Sequence, residues 1–535
     1  MDMGVKKEVI ATDTSSNQNS TELLSQLKSN EKFVAVVGPA GAGSGTAAKI
    51  LASILQGEGY ETEIIKVSVL INDFVASKGK AAPRAAGHKN IDDVTTMQDL
   101  GDSIRKGEEY ELKEDHAAVA RLVIKKIKEL RETKQSSVDI SPVENDANRA
   151  FIIDSLRHPA EAVLLREVYK ELFTLIGVVC NPEERSKRIK SKLIPRGSGK
   201  KEELTRKVED YMSRDENAKE NYGQKVAKLF YEADYFVDNS EEGNDDVTET
   251  GMNEPLQRLV SIIAHNKIVR PTTHEAAMYQ AHAAQMQSAC LSRQVGAALV
   301  DKNHNVVAVG LNDVPKAGGG LYGQGFNTSI ERDSRCAYRG SSPFCSSNVE
   351  QNAIIDELIS EFPELVPDAS KKEKVIGKIR GTRIGGLIEF SRAVHAEMNA
   401  IISAAISGVS PKGCRLYVST YPCHYCARHI VTAGIDEVQF IEPYPKSKAT
   451  ELHNDSITTE LNTDWKPPSE GGDKVLFRPF VGVAPRFYKL AFLKDRDYKN
   501  KKTGMLNFGT PEPGMTSTVY TQSYPELEEK LTEGF

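Results

Sequence analysis

The sequence predicts an α/β protein of more than one domain, and three observations carry that expectation. Short apolar runs alternate with charged helical stretches, once before residue 240 and again after Pro271. The acidic segment Ser240–Glu254 separates the two series and reads as a linker. At 535 residues the chain exceeds what one hydrophobic core organises, so two or three domains are expected.

In the first series, Phe33–Gly38, Glu63–Ile71, Phe151–Leu156 and Leu175–Cys180 read as buried parallel strands. Charged stretches such as Glu114–Arg131 and Glu161–Leu172 read as the helices between them, and Asp234–Asn239 as a last strand. The second series opens with an alanine-rich helix, Thr273–Leu291, and the strands Gln294–Asp301 and Asn305–Asn312. An insertion of 313–390 follows, too long for a simple connection, so a functional loop or partner surface is expected. The pattern resumes with a helix from His395, a strand Arg415–Thr420, a helix from Cys423, a strand Glu437–Pro443 and an apolar run Lys474–Val483. Boundaries follow: a disordered tail 1–30, a first domain 31–240, a linker 241–270 and a second domain 271–535.

The polar start, MDMGVKKEVIATDTSSNQNS, has no apolar h-region, and no stretch is long and apolar enough for a bilayer. Seven scattered cysteines, an odd number, argue for a reducing cytoplasm rather than a disulfide framework. The net charge of -6 gives no support to a broadly cationic nucleic-acid binder.

The chemistry concentrates in His395-Ala396-Glu397 and Pro422-Cys423-His424-Tyr425-Cys426. This is the H-x-E…P-C-x-x-C signature of zinc-dependent nucleobase deaminases. One imidazole and two thiolates bind Zn2+ and leave a fourth position open for water. Cys423 and Cys426, three apart at a helix start, share a face where the helix N-terminus favours thiolates. Glu397, two residues from the ligand His395, reaches the activated water without binding metal and can shuttle its proton. His424 and His429 read as helix surface or as neighbours of the ligands. Cys336 and Cys345, beside Arg332, Arg335 and Arg339, leave a second, structural zinc open against two free cysteines. The glycines at 318–320 permit either close backbone approach to a nucleotide or a mobile loop.

Cys290-Leu-Ser-Arg293-Gln-Val-Gly296-Ala, Val309-Gly310-Leu-Asn312 and His395-Ala-Glu-Met-Asn399-Ala-Ile resemble deoxycytidylate deaminases. The resemblance nominates Asn312 for the deoxyribose, with a turn asparagine as the alternative. It nominates Arg293 for a phosphate, with a surface ion pair as the alternative. Pro443-Tyr-Pro-Lys-Ser447, Leu452-His453-Asn-Asp455-Ser and Phe480-Val-Gly-Val-Ala-Pro-Arg486 resemble the bacterial anti-phage dCTP deaminases. Those proteins join a P-loop kinase-like domain to a deaminase. The resemblance implies deamination of dCTP and dCMP, draining a precursor pool that replicating phage needs. Lys446, Lys448, His453 and Arg486 are candidate cations for a triphosphate, or are simply solvated.

Strand Phe33–Val37 runs into Gly38-Pro-Ala-Gly41-Ala-Gly43-Ser44-Gly45-Thr46 and then a helix, a phosphate-loop arrangement. Ser44 stands where G-x-x-x-x-G-K-[ST] places lysine, so the usual charge toward the β/γ-phosphates is missing. Phe151-Ile-Ile-Asp154-Ser-Leu-Arg157-His-Pro, Asn181-Pro-Glu-Glu-Arg185 and Ala233-Asp234-Tyr-Phe-Val-Asp-Asn239 resemble nucleoside monophosphate and dephospho-CoA kinases. The resemblances together imply a P-loop kinase-like parallel sheet followed by a cytidine-deaminase-like α/β/α domain. Without the lysine, a nucleotide-sensing or partner-binding role is expected ahead of phosphoryl transfer.

The expected substrate is a free deoxycytidine nucleotide. A polynucleotide deaminase is the competing enzyme class, and a regulated sensor scaffold that binds RNA, protein or a phage product is the other. The acidic charge and the few aromatics, with Trp465 the only tryptophan, weigh against a base-stacking platform. Family habit makes a homo-oligomer the expected assembly.

Overall fold

The structure is a computed structural model describing residues 28–80, 90–132, 148–194, 201–240, 251–323, 333–338, 344–366, 368–387, 389–444, 446–460, 464–494, 499–506, 514–515, 528 and 531–532. The expected tail up to residue 27, residues 241–250 of the acidic segment, Arg332 and Arg339 lie outside these residues. The chain divides into two compact units: 1–232, 239–268 and 498–535 in one, 233–238 and 269–497 in the other.

In the first unit four parallel strands, β1 (Lys32–Val37), β2 (Glu61–Lys66), β3 (Arg149–Asp154) and β4 (Phe173–Val179), lie in the order β2-β3-β1-β4. β1 and β4 are buried throughout, as a parallel sheet covered on both faces requires. The connecting helices are α1 (Ser44–Gly57), α2 (Val67–Ser77), α3 (Ile91–Lys106), α4 (Ala118–Glu132), α5 (Pro159–Tyr169), α6 (Pro182–Leu193) and α7 (Lys201–Asn217).

Three expectations are corrected here. The strand read over Glu63–Ile71 stops at Lys66, where pairing to Asp154 ends. Its remainder enters α2, which buries Val67, Ile71, Phe74 and Val75 at helical spacing. The segment read as a linker contains α8 (Asn253–Ile263), whose Leu256, Leu259, Val260 and Ile263 are buried and which packs against α1. Residues 28–30, read as the end of the tail, take part in the fold: Lys28–Ser29 pairs antiparallel with Gly514–Met515, and Ser29 is buried.

The second unit is built on a six-stranded mixed sheet in the order β10-β11-β9-β8-β6-β7. The strands are β6 (Gly296–Val300), β7 (Val306–Leu311), β8 (Arg415–Thr420), β9 (Glu437–Glu442), β10 (Ile457–Thr458) and β11 (Val475–Pro479). β6 runs antiparallel to β7 and β8, while β8, β9, β11 and β10 are mutually parallel. Helix α9 (Thr273–Gln285) packs on one face against β6, β7 and β8. On the other face, α12 (Ala396–Ile406) and α13 (His424–Thr432) bury Ala396, Ala400, Ala404, Cys426, Ala427 and Ile430 against Leu299, Leu416, Val418 and Val438. The result is an α/β/α sandwich. The insertion contributes α10 (Ser346–Glu361) and α11 (Lys372–Arg380). The short strand β5 (Tyr235–Asp238), read from sequence as the end of the first domain, groups with this unit and pairs antiparallel with β12 (Gly482–Val483). Residues 498–535, assigned from sequence to the second domain, group with the first unit.

Candidate active site

Two helix starts deliver the cysteine and histidine side chains to one point. His395 is the N-cap residue of α12 and Cys423 that of α13, each with extended backbone just before its helix. The two helices lie side by side because the sheet beneath them is closely approached. Gly310 in β7 is the clearest instance: a Cβ there would sit 2.2 Å from the Ala396 carbonyl oxygen. Asn399, buried one turn into α12, accepts a hydrogen bond from the Leu311 amide (3.1 Å) and pins the helix to the strand.

His395 Nδ1 stands 3.3 Å from Cys423 Sγ and 3.3 Å from Cys426 Sγ. The three donor atoms all lie within 4.8 Å of one another, and they form the only such group among the described residues. One imidazole nitrogen has one proton or one lone pair to offer, so it cannot satisfy two sulfurs as hydrogen-bond partners. A tetrahedral ion with Zn–N of about 2.0 Å and Zn–S of about 2.3 Å spaces N and S by about 3.5 Å, close to what is seen. The donor set therefore fits zinc. Cys423 is held down to about 4, chiefly because the Cys426 thiol donates to its sulfur and then because His395 does. His395 is raised to about 9, chiefly by its hydrogen bond with Cys423. Burial pushes the Glu397 carboxyl up, against the opposing pull of His395.

A cavity of about 340 Å³ opens over this cluster, lined by His395, Glu397 and Cys423. The wall also includes Arg293 and Asn312, the two residues nominated for substrate. Asn312 is 7 % exposed, and its side chain is already engaged. Oδ1 accepts from the Val295 amide (2.6 Å), and Nδ2 donates to the Arg293 carbonyl (2.6 Å), leaving one amide hydrogen free for a ligand. Arg293 pairs with Glu442 (3.1 Å) and also lines the cavity. Of the four later cations, Lys446 lines the cavity, Lys448 pairs with Glu451, Arg486 stands 3.8 Å from Asp234, and His453 does not line it.

Sequence reasoning missed the rest of the wall. Ser347, Asn348 and Gln351 come from the start of α10, Gly385 and Gly386 from later in the insertion, and Tyr421 and Tyr444 from beside α13 and β9. No local motif marks them, although tyrosines flanking P-C-x-x-C were a usable hint. Cys336 and Cys345 do not join any three-donor group among the described residues. His424 and His429 also stand outside the donor group.

In the first unit, the loop Gly38–Thr46 joins β1 to α1 as the sequence predicts. Gly43 caps α1 at φ 94°, and a Cβ would meet Asn239 Nδ2 at 2.2 Å, so only glycine fits. Gly41, Ser44 and Gly45 complete the turn, and the Thr46 amide donates to the Gly43 carbonyl (3.0 Å). A carboxylate of the protein itself braces this loop. Buried Asp215 accepts from the Ala40 amide (2.7 Å) and from Arg157 (2.9 Å), which also donates to the Gly38 carbonyl (3.0 Å).

A mixed sheet sandwiched by helices carries a His-Cys-Cys donor set, its two cysteines buried, with the Glu397 carboxyl beside it. Residues 271–442 match the family described as "Cytidine and deoxycytidylate deaminase zinc-binding region", and the second unit thus contains a deaminase domain of the cytidine/deoxycytidylate type. Deoxycytidylate deaminase of Enterobacteria phage T4 is 27% identical over 170 residues, covering 31% of this chain and 77% of that protein. Its phage T2 counterpart is 29% identical over 170 residues, covering 31% and 79%. The crystal structure of dCMP deaminase from cyanophage S-TIM5 in complex with dCMP and dUMP shares 19% identity, covering 40% of this chain and 99% of that one. The TM-score of that comparison is 0.22.

Proposed function

We propose that the second unit is a zinc-dependent hydrolase that converts a free deoxycytidine nucleotide, dCMP or dCTP, to the deoxyuridine nucleotide and ammonia. The observation that carries this reading is Glu397, 4 % exposed, lining the same cavity as His395 and Cys423. His395, Cys423 and Cys426 would hold zinc, which supplies a water whose pKa is brought toward neutrality. Glu397 takes a proton from that water and delivers it to N3 of the cytosine ring as oxygen bonds to C4. The same carboxylate then takes the proton of the new C4 hydroxyl and passes it to the exocyclic nitrogen, the C4–N bond breaks, and ammonia leaves a C4 carbonyl behind. The free hydrogen of the Asn312 amide is available to the sugar, and Arg293 and Lys446 to the phosphates.

The insertion favours a mononucleotide over a polynucleotide. The start of α10 and the Gly385–Leu387 segment add walls to the cavity, which suits a compact substrate. The likeness to anti-phage dCTP deaminases supplies the wider reading: a cytoplasmic homo-oligomer that depletes deoxycytidine nucleotides during infection. The first unit would then be a regulatory module for a nucleotide, RNA or protein. Ser44 in the lysine position and the Asp215 brace support regulation over phosphoryl transfer.

The test compares dCMP, dCTP and a cytosine-containing single-stranded oligonucleotide at equal cytosine concentration, with products identified by mass spectrometry. Deamination of at least one mononucleotide ahead of the oligonucleotide is expected. An oligonucleotide converted while both mononucleotides stay intact overturns the proposal.

A further inference from the structure

Asp313 directly follows Asn312 at the end of β7 and is 2 % exposed. A carboxylate so deeply buried is costly unless its oxygens are paired. Oδ1 accepts from the Val314 amide (2.8 Å), and Oδ2 from both the Ala289 amide (3.2 Å) and Arg335 Nη1 (3.1 Å). The arginine belongs to the insertion, 22 residues further on.

Arg335 is itself held rigidly. Its Nε lies 3.1 Å from both Asp333 carboxylate oxygens and its Nη2 2.7 Å from Oδ2, a fork that fixes the guanidinium plane. The Tyr338 ring centre is 4.6 Å away, and the Gly323 backbone packs so closely that a Cβ there would lie 2.7 Å from Nη2.

Three segments that wall the substrate cavity meet at this pair. The first carries Cys290, Ser292 and Arg293, and is tied in through the Ala289 amide. The second is the strand end at Asn312. The third leads into His395: the Val394 amide donates to the Asp313 carbonyl (2.9 Å), and Arg392 donates to the Ser334 carbonyl (3.0 Å) beside Arg335. Asp313 and Arg335 do not line the substrate cavity. They border a neighbouring space of about 40 Å³ that shares Cys290, Ser292, Ser347, Ser391 and Ala393 with it.

We propose that Arg335, acting through Asp313, is a positioning residue that locks the insertion to the strand end and sets the shape of the substrate cavity. This rests on the deaminase reading above. It makes the insertion a working part of the site, with an arginine that no deaminase motif marks.

The test uses the full-length, zinc-loaded protein and the variants Arg335→Ala, Arg335→Lys and Arg335→Ala with Asp313→Asn. In Arg335→Ala, KM for dCMP is expected to rise about tenfold, with kcat changed less than about threefold and zinc content unchanged. Lysine should restore part of the loss, since it can pair with Asp313 without the fork, and the double variant should be no worse than the single one. Lower thermal stability with KM unaltered in both single variants would show a merely structural pair and overturn the proposal. Should the wild type turn over only dCTP, the same KM comparison is made with dCTP; should it leave both mononucleotides untouched, the deaminase reading fails on its own. The pair is then judged by labelling of Cys290 with a thiol reagent, expected to be faster in Arg335→Ala. Equal labelling rates would overturn it.

Discussion

Glu397 stands two residues from His395 yet is not one of the three clustered donor atoms, and that separates two losses an experiment can tell apart. Glu397→Gln keeps the volume and the ligands but loses the proton acceptor, so zinc should remain stoichiometric while turnover falls by about a hundred- to ten-thousandfold. Cys423→Ser or Cys426→Ser should lose zinc together with activity, because a three-ligand site has no spare donor. Metal analysis alongside turnover checks both, and full zinc occupancy in the cysteine variants would contradict the ligand assignment. The quartet was legible in the sequence because its geometry is local: an N-cap residue, its near neighbour in the first turn, and a pair three apart on a helix. Asn312 was legible as a position in the wall, but its bonds to residues 293 and 295 were not. Asn399 and Arg335 stood in stretches the sequence singled out, but their roles and that of Asp313 were not legible, since their partners lie 88, 22 and 24 residues away and only the closed fold names them.

Helix α5 shows how an element can carry a pH dependence. Its N-cap is His158, whose Nδ1 accepts from the Ala160 amide (3.2 Å) while Nε2 faces the Asn221 carbonyl (3.0 Å), an arrangement suited to the neutral ring. Burial lowers the His158 pKa, opposed by Glu161 and assisted by Arg105 and His116. The unfolded chain therefore binds the proton more readily, near the ordinary value of about 6.5. The cap's contribution is complete above that pH and is lost as the pH falls toward the lowered folded value. Thermal unfolding by circular dichroism at pH 7.5 and 5.5 should show a larger loss for the wild type than for His158→Asn, which keeps a cap of about 1 kcal/mol without the titration. Equal losses would remove His158 from this role. Most elements were readable from period and punctuation, as with Arg415–Thr420, whose observed bounds match the sequence reading. The misreadings have two causes. In Glu63–Ile71, apolar residues continue past the point where the sheet stops offering partners, and only tertiary pairing shows where strand gives way to helix. In the segment read as a linker, the acidic run ahead of Asn253 masked an amphipathic helix.

Across the whole molecule, the last described residues return to the first unit. Glu528, 1 % exposed, receives Arg131 (2.5 Å) and the Tyr169 hydroxyl (2.7 Å), while Arg131 and Arg149 also pair with buried Glu31. Burial pushes the Glu528 carboxyl up, so the pairing is held against a desolvation cost. Breaking such a pair from one side strands the other charge, and Glu528→Ala should destabilise the first unit by about 3–5 kcal/mol. Trp465, the only tryptophan, lies in the second unit, so its fluorescence in denaturant should keep its midpoint while far-ultraviolet circular dichroism shows an earlier transition. Coincident shifts in both signals would contradict the assignment. That return was invisible in the sequence, where residues after 497 follow the deaminase pattern without interruption. It also gives the protein a clock. Arg131 and Tyr169 have both been synthesised by residue 169, and translation of the intervening 359 residues to Glu528 at about 5–20 per second takes about 20–70 s. For that interval the nascent first unit lacks the Glu528 carboxylate. Its final closure waits until the second unit has been translated.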